Sequence, residues 1–392
     1  MSLIYLDYAA TTPVDPRVLD AMLPYFNERF GNAASTGHAA GKAARDAVEH
    51  AREQVAAVLG ADPREIVWTS GATESDNLAL QGVTFAPYYA GRGNHIVTAA
   101  TEHKAVIDCC AHLASQGVHV KRLPVDDDGL IDLERLADAI TPETRLVSVM
   151  HANNETGVLQ PIREIGALCR ARGVLFHTDA TQSFGKLRID VNRDHIDLLS
   201  LSAHKIYGPK GVGALYVRRK GPRVRCALLI HGGGHEGGLR SGTLNVPGIV
   251  GLGLAAEIAG RDPETEQARI AELRDLLESA LMRRLAGVTR NGAPGARLAG
   301  FANLTFAGAA AEAIMAGAPE VAVSAGAACS SATRLSSYVL AAMGRDREAI
   351  ECSIRFSLGR PTTAGEIHEV AARIAEAVER AREPGYRARC GD

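Results

Sequence analysis

The sequence predicts an α/β protein in which helices cover both faces of a mainly parallel sheet, with a smaller second domain attached. The main observation is that short apolar runs alternate with amphipathic helical patterns through the first two thirds of the 392 residues, as they do in proteins built on parallel sheets. The length is the second observation, because it exceeds that of one small domain. We expect a large domain over residues 15–255 and a small domain built from residues 1–14 together with residues 256–392.

The individual elements follow from the spacing of the apolar residues. Short apolar runs are typical of buried strands, and apolar residues every three or four positions are typical of helices. Ligands bind at the carboxyl ends of the strands in such sheets, so residues that directly follow a strand are the functional candidates. The predicted strands are 65–69, 94–98, 119–123, 146–151, 174–178, 196–200, 302–306 and 352–358. The predicted helices are 41–59, 104–116, 162–172, 263–285 and 363–383.

Composition and charge exclude several classes of protein. The formal net charge is -2, and no basic cluster of the kind that binds nucleic acid or a membrane surface stands out. The N-terminus lacks a secretory signal, and no window approaches the ~20 apolar residues that cross a bilayer. None of the seven cysteines forms a Cys-x-x-Cys pair, which favours a reducing compartment over a disulfide framework. We therefore expect a cytoplasmic protein that contacts neither membrane nor nucleic acid directly.

Lys205 and Asp179 are the most informative pair of residues. Lys205 follows the apolar run 196–201, and Asp179 follows the run 174–178. By itself Lys205 would be a surface lysine beside a loop. A lysine after one strand and a carboxylate after another, however, are what pyridoxal phosphate requires. The lysine forms a Schiff base with the cofactor aldehyde, and the carboxylate keeps the pyridine nitrogen protonated.

The strand that ends at Thr69 runs into a glycine turn and a helix start rich in serine and threonine, residues 70–77. Free backbone amides and the helix dipole favour an anion such as phosphate at this position. The alternative is that Thr73 caps the helix and Asp76 completes a capping box. A cap and a phosphate site use the same backbone geometry, so both can hold.

His103 and Asn154 also follow predicted strands. The imidazole of His103 could stack on a cofactor ring and move protons, and the alternative is a capping or surface histidine. Asn154 could contact the phenolic oxygen of the cofactor or a substrate carboxylate, and the alternative is an ordinary asparagine-rich turn.

Arg355 and Cys329 are the candidates near the C-terminus. Arg355 alternates with apolar residues, and burying an arginine without a partner is costly. Its partner is either a substrate carboxylate, bound by two parallel hydrogen bonds, or a structural salt bridge. Cys329 lies among small residues that leave a thiol accessible, and the alternative is an incidental small apolar residue. The glycine-dense segment 231–243 contains two histidines but no other ligand at metal-binding spacing, so no metal is predicted.

Taken together, these segments resemble the cysteine desulfurases, pyridoxal-phosphate enzymes of the class V aminotransferase type, and in particular the subfamily that supplies iron–sulfur cluster assembly. The resemblance covers nearly the whole chain, and so many ordered matches are more specific than any single motif. The strongest matches are residues 5–13, 70–77, 101–104, 179–183, 202–210, 240–243, 326–329 and 353–360.

The resemblance implies fold type I of the pyridoxal-phosphate enzymes, with a mainly parallel seven-stranded sheet flanked by helices in the large domain and a smaller α+β domain that carries the Cys329 loop. It implies conversion of L-cysteine to L-alanine, with the sulfur transferred to Cys329 as a persulfide and then to an acceptor protein, either a scaffold or a carrier. The alternative on the same scaffold is a selenocysteine lyase or another pyridoxal-phosphate-dependent β-lyase. Residue Gly237 stands where close relatives usually carry an arginine.

The resemblance also implies a role for each matching residue. Cys329 would be the nucleophile, Lys205 the Schiff-base lysine, and His103 the group that stacks on the ring and transfers protons. Thr243 would reach the phosphate of the neighbouring subunit, which implies a homodimer. Asn32, Asn154 and Arg355 would bind the substrate. The residues expected to bind the cofactor are Ala72, Thr73, His103, Asn154, Asp179, Gln182, Ser202, His204, Lys205 and Thr243.

Overall fold

The computed structural model describes residues 3–91, 93–325 and 337–383, and strands alternate with helices along most of that chain. Within this part of the chain, none of the helices combines the length and the apolar character that a membrane crossing requires. The strands are β1 (Ile4–Tyr5), β2 (Ile66–Thr69), β3 (His95–Ala99), β4 (His119–Leu123), β5 (Thr144–Ser148), β6 (Leu175–Asp179), β7 (Leu198–Ser202), β8 (Gly213–Val217), β9 (Val288–Arg290), β10 (Phe301–Phe306), β11 (Val321–Ala322), β12 (Ser324–Ala325) and β13 (Ser353–Ser357). The helices are α1 (Pro16–Met22), α2 (Pro24–Asn27), α3 (Ala39–Leu59), α4 (Ala72–Phe85), α5 (Lys104–Ser115), α6 (Leu133–Ala139), α7 (Ile162–Arg172), α8 (Val246–Gly260), α9 (Pro263–Arg284), α10 (Ala311–Gly317), α11 (Tyr338–Ala342), α12 (Arg347–Glu351) and α13 (Ala364–Ala381).

The large sheet has seven strands in the order β2-β8-β7-β6-β5-β3-β4. Strand β8 runs antiparallel to both of its neighbours, and the other pairs are parallel. The predicted mainly parallel seven-stranded sheet with flanking helices is therefore confirmed. Strand β8 has no counterpart among the strands predicted from the apolar runs, although all of its residues are buried. It directly follows the glycine-rich stretch after Lys205, which hides its strand character in the sequence.

Helices α3 and α8 pack against each other on the large sheet. Val48 and Val55 lie on the buried stripe of α3, which ends at Gly60 with a left-handed φ of 65°. A Cβ built on Gly253 of α8 would lie 2.6 Å from the Cα of Ala51. Glycine at this position therefore allows the backbones of the two helices to approach closely.

A second core surrounds the four-stranded sheet with the order β12-β13-β10-β9, whose neighbouring strands are all antiparallel. Phe306 and Phe356 on its strands are fully buried and meet edge to face, with ring centroids 6.4 Å apart. Leu277 of α9 and Ile374 of α13 belong to the same core. The predicted smaller α+β unit is therefore present, and the exact limits of the two domains remain a prediction.

The N-terminal segment connects this second core to the large sheet. Strand β1 pairs in parallel with β11, and the backbone N–H of Ser357 donates a 2.8 Å hydrogen bond to the carbonyl of Leu6. Further along, the backbone N–H of Thr12 donates to the carbonyl of His204 at 3.0 Å. Residues 4–12 therefore run from the second sheet to the carboxyl edge of the large one, where the candidate site lies.

Candidate active site

The functional candidates meet in a cavity of about 510 Å³ at the carboxyl ends of β5, β6 and β7, beside the start of α4 and α5. Ligands bind at this edge in sheets of this type, and the volume is usual for a small-molecule site. The predicted site residues that line the cavity are Ala72, Thr73, His103, Asn154, Asp179, Gln182, Ser202, His204, Lys205 and Arg355.

Lys205 ends a short 3-10 turn, Ala203–Lys205, that directly follows β7. Its Nζ donates hydrogen bonds to the backbone carbonyls of Ala9 at 2.5 Å and Ala10 at 2.7 Å. Both carbonyls belong to the N-terminal segment described above. The chain therefore uses residues at its very beginning to hold the amine of Lys205 at the wall of the cavity.

Asp179 is the last residue of β6, and its side chain is buried. Its Oδ1 accepts a 2.8 Å hydrogen bond from the backbone N–H of Thr181. Asp179 pairs with Ser200 in the register between β6 and β7, so it lies one strand away from the turn that carries Lys205. A carboxylate and an amine thus line the same cavity from neighbouring strands, as the sequence predicts.

The turn from β2 into α4 forms the predicted anion cup. Gly71, with φ 155°, is the N-cap residue, and within the described chain no side chain caps the helix there. The alternative in which Thr73 caps the helix is therefore wrong. The first amides of α4 are left for an external anion. A Cβ built on Gly71 would lie 4.0 Å from the Oγ of Ser202, which puts this hydroxyl beside the cup.

His204 lines the cavity next to Lys205, and its Nδ1 lies 3.1 Å from the Oγ1 of Thr11. Burial, followed by the positive charges of Lys205 and Lys210, lowers the pKa of His204 to about 4. The imidazole is therefore neutral at pH 7. It can offer hydrogen bonds to a phosphate without adding a charge.

His103 caps α5 and also lines the cavity, so the capping interpretation is confirmed, and its roles in ring stacking and proton transfer remain predictions. Its Nδ1 accepts a 3.2 Å hydrogen bond from the backbone N–H of Ala105. Burial lowers the pKa of His103, with a further decrease from Lys205 and an opposing increase from Asp179. A neutral ring whose Nδ1 accepts a hydrogen bond must carry its proton on Nε2. His103 is thus a neutral N–H donor at physiological pH.

Arg355 lies on β13 and reaches the cavity from the second core. Its Nη2 donates to Asp7 Oδ1 at 2.6 Å and to Ser324 Oγ at 3.2 Å, and its Nη1 donates to the carbonyl of Asn154 at 2.7 Å. Its Nε is buried without a hydrogen-bond partner among the described residues. The structural salt bridge is therefore real, and the guanidinium retains N–H donors for a further anion.

Three predicted residues are not brought to this cavity by the described chain. Asn32 is exposed, and its Oδ1 accepts a hydrogen bond from the backbone N–H of Ala34. Thr243 is exposed on the glycine-rich segment and does not line the cavity. Cys329 lies outside the described residues. The roles of all three residues remain predictions.

Sequence reasoning missed two carboxyl groups behind Asp179. Asp76 on α4 and Glu102 before α5 have no solvent exposure. Burial raises the pKa of each group well above its ordinary value, and the negative charge of Asp179 adds to this increase. The neutral acids are therefore favoured. The signal available in the sequence was that Asp76 shares a helix face with the buried Leu80 and Val83.

The described residues fit pyridoxal phosphate. A cup of backbone amides suits its phosphate, Asp179 suits its ring nitrogen, and Lys205 suits its aldehyde. Asn154 Oδ1 is buried and has no hydrogen-bond partner within the described part of the chain. A buried polar atom of this kind normally has a partner, and Asn154 lines the cavity that the cofactor would fill.

The comparisons with known proteins agree with this geometry. The sequence model of the family described as Aminotransferase class-V matches residues 4–370. The curated Cysteine desulfurase IscS of Anaeromyxobacter sp. (strain Fw109-5) is 56% identical over 380 residues, which cover 97% of this chain and 93% of that protein.

Solved structures show the same likeness. A NifS-like protein superposes with a TM-score of 0.89 at 38% identity over 96% of this chain and 99% of its own. SspA in complex with cysteine superposes with a TM-score of 0.81 at 39% identity over 92% of this chain and 99% of its own. These likenesses do not favour the selenocysteine lyase alternative. The chain belongs to the class-V aminotransferase family, and within it to the cysteine desulfurases that depend on pyridoxal phosphate.

Proposed function

We propose that the cavity between β5, β6, β7 and β13 is the site where this cysteine desulfurase takes sulfur from L-cysteine. The observation that carries the proposal is the convergence of Lys205, Asp179 and Arg355 on one cavity. Lys205 and Asp179 provide the amine and the carboxylate that the cofactor requires. Arg355 offers a positive charge with unused N–H donors to the carboxylate of an amino acid.

The cofactor is held from three directions in this proposal. The amides of Ala72 and Thr73, the Ser202 hydroxyl and the neutral His204 would hold its phosphate. Asp179 would accept from the ring nitrogen, and Asn154 and Gln182 would contact the phenolic oxygen. When bound, the cofactor supplies an electron-accepting ring that stabilises negative charge at the substrate α-carbon.

Protons are moved by Lys205 and His103. The amine of Lys205 takes the proton from the substrate α-carbon, because two backbone carbonyls keep it at the cavity wall when it is not attached to the aldehyde. The neutral His103, with its proton on Nε2, lines the same cavity and is the group that donates a proton. Groups in these positions act as general acid and base when they lie within hydrogen-bond reach of the proton.

Sulfur passes from the substrate to Cys329. The thiolate of Cys329 attacks the substrate sulfur, so that an S–S bond forms while the C–S bond breaks. The electron pair of the broken bond stays on the carbon fragment, which gains a proton at the β-carbon, regains the proton that Lys205 took from the α-carbon, and leaves as L-alanine. Described residues that precede and follow Cys329 in the sequence lie close to the site. Ser324 contacts Arg355, and Ser337 donates to the carboxylate of Glu155, the neighbour of Asn154.

The test is the variant Cys329→Ala, with Cys226→Ala as the matched control. We expect Cys329→Ala to stop alanine and sulfide production from cysteine while the visible absorbance of the bound cofactor remains. We expect Cys226→Ala to stay active, because Cys226 does not line the cavity. Mass spectrometry of the wild type after brief exposure to cysteine should find one added sulfur on Cys329. Full alanine production by Cys329→Ala would rule out the nucleophile.

The same proposal includes a homodimer. Phe26 and Phe30 are 54% and 74% exposed, and the nearby Leu23 is 54% exposed. Large apolar side chains grouped on a surface favour a protein contact, and in this proposal a second copy of the chain covers them. Thr243 of one subunit then reaches the anion cup of the other, as the resemblance implies. Sedimentation of the cofactor-bound protein tests the stoichiometry. Retention of the cofactor by Thr243→Ala tests the role of the hydroxyl.

The acceptor of the sulfur is an intracellular protein in this proposal, and iron–sulfur cluster assembly is the pathway suggested by the subfamily that the sequence resembles. The described cysteines, at positions 109, 110, 169, 226 and 352, are all free thiols, which supports a reducing compartment such as the cytoplasm. Capture of the persulfide-loaded enzyme with its bound acceptor would identify the protein that receives the sulfur.

A further inference from the structure

Lys186 is a second lysine beside the cavity, and none of the roles assigned above uses it. It lies in the turn after β6, with its Nζ 3.4 Å from Gln182 Oε1 and 5.9 Å from the centroid of the Phe301 ring. Lys186 and Lys205 also line one small cavity of about 20 Å³ behind the active site. Lys186 and Lys205 are both only partly exposed, so solvent screens one amine from the other incompletely.

The partners of Gln182 fix the orientation of its amide. Lysine offers donors when protonated, and a backbone carbonyl offers only an acceptor. Lys186 must therefore contact Oε1. The carbonyl of Ala9 must contact Nε2, which lies 2.9 Å from it. Both partners select the same one of the two possible amide orientations, and the second N–H of Nε2 is left for an acceptor in the cavity.

We propose that Lys186 is a positioning residue of this active site, whose amine holds the Gln182 amide with its N–H₂ group directed at the phenolic oxygen of the bound cofactor. The proposal rests on the proposed function of the cavity, in which Gln182 approaches that oxygen. Gln182 Nε2 and Lys205 Nζ both donate to the carbonyl of Ala9. Lys186, Gln182 and Lys205 therefore form one connected hydrogen-bonded unit when the amine of Lys205 is not attached to the aldehyde.

The effect of Lys186 on the orientation of the Gln182 amide depends on the protonation of the Lys186 amine. Burial and then the proximity of Lys205 lower the pKa of Lys186 to about 7, against the opposing effect of Glu266. The other ionisable side chains around the small cavity are Tyr8, Tyr207 and Arg360. A protonated amine can only donate to Oε1, whereas a neutral amine also accepts and no longer selects one amide orientation. The ordering of Gln182 should therefore weaken as the pH rises through about 7.

The first test replaces the amine in the cofactor-bound protein. Lys186→Met removes the donor at similar length, Lys186→Arg restores a donor that is always charged, and Lys121→Met changes an exposed lysine on β4 as the matched control. We expect Lys186→Met to move the pH at which the visible absorbance of the bound cofactor titrates by about one unit. We expect kcat for cysteine to fall about ten- to a hundredfold. Lys186→Arg should restore most of the wild-type titration and kcat, and Lys121→Met should change neither.

The second test asks whether Lys186 acts through Gln182. If it does, adding Lys186→Met to Gln182→Leu should change kcat by about twofold or less. Two effects that multiply independently would overturn the proposal, and so would a Lys186→Met protein whose absorbance titrates like the wild type. If Lys186→Met does not fold, Lys186→Gln, which keeps a neutral donor, is judged by the same titration. The titration needs no turnover, so a wild type that makes no alanine would count against the proposed function and not against this inference.

Discussion

Arg355→Lys is the sharpest test of how the site binds an amino acid. The guanidinium of Arg355 has five N–H donors, and three of them are used by Asp7, Ser324 and the carbonyl of Asn154. In the proposed function, the substrate carboxylate uses the remaining donors. A lysine keeps the positive charge, but its three donors radiate from one atom and cannot reproduce the planar arrangement.

The size of the effect follows from the hydrogen bonds that are lost. A hydrogen bond to a charged group contributes about 1.5–3 kcal/mol. Losing one or two of them while the charge remains should cost about 2–4 kcal/mol, which corresponds to a ~30- to 1,000-fold lower kcat/KM. The carboxylate is bound in both the ground state and the transition state, so most of the change should appear in KM.

The assay is alanine formation measured over a wide range of cysteine concentrations, with the cofactor absorbance checked first. Arg290→Lys is the matched control, because Arg290 pairs with Glu278 at 2.6 Å in the second core and does not line the cavity. A KM within about threefold of the wild type for Arg355→Lys, or an equal rise in KM for Arg290→Lys, would refute the assignment of Arg355 to the substrate carboxylate.

Two further predictions concern chemistry and stability separately. His103→Asn should lower kcat about 10²- to 10⁴-fold with little change in melting temperature, because asparagine also caps helices. Burial holds the pKa of His103 below 6.5, so the His103 ring should be neutral at pH 7 by NMR, and a ring that titrates above 6.5 would contradict this. Glu278→Gln should lower the free energy of unfolding in urea by about 3–5 kcal/mol at pH 7, because the carboxylate accepts hydrogen bonds from Arg290 and Arg297. Burial raises the pKa of Glu278, but the two arginines outweigh it and hold the pKa below 4.5; this stabilisation is therefore present above about pH 4.5 and is lost as the pH falls through the pKa in the folded protein. An equal loss of stability on acidification in Glu278→Gln would show that other groups cause it.

The sequence predicts the site best where local patterns and the geometry of a parallel sheet agree. Lys205 and Asp179 could be found because each follows a short apolar run and the carboxyl ends of such strands share one edge. The predicted limits of β5 differ from the observed ones: the apolar pattern predicts 146–151, and the strand spans Thr144–Ser148. Val149 and Met150 are buried just as the strand residues are, so the apolar pattern alone does not reveal where backbone pairing stops.

The partners of the catalytic groups could not be predicted in the same way. The amine of Lys205 is held by carbonyls of Ala9 and Ala10, and Arg355 pairs with Asp7. These contacts join residues that are 195 to 348 positions apart in the sequence, and a backbone carbonyl leaves no trace in residue type. The neutral state of Asp76 likewise depends on complete burial, which arises only when the helix packs on the sheet.

The pairing of β1 with β11 delays completion of the active site while the protein is being made. A ribosome adds about 5–20 residues per second, so Ile4 waits roughly 15–60 s for its partner Val321 to be synthesised. During that time the large sheet can already assemble and Thr12 can pair with His204, but Val321, Arg355 and Ser357, which hold residues 4–9 from the second core, have not yet been made. A nascent chain that has formed its large sheet therefore does not yet have the finished surroundings of its catalytic lysine, and premature capture of the vitamin B6 aldehyde would occur in an incomplete pocket.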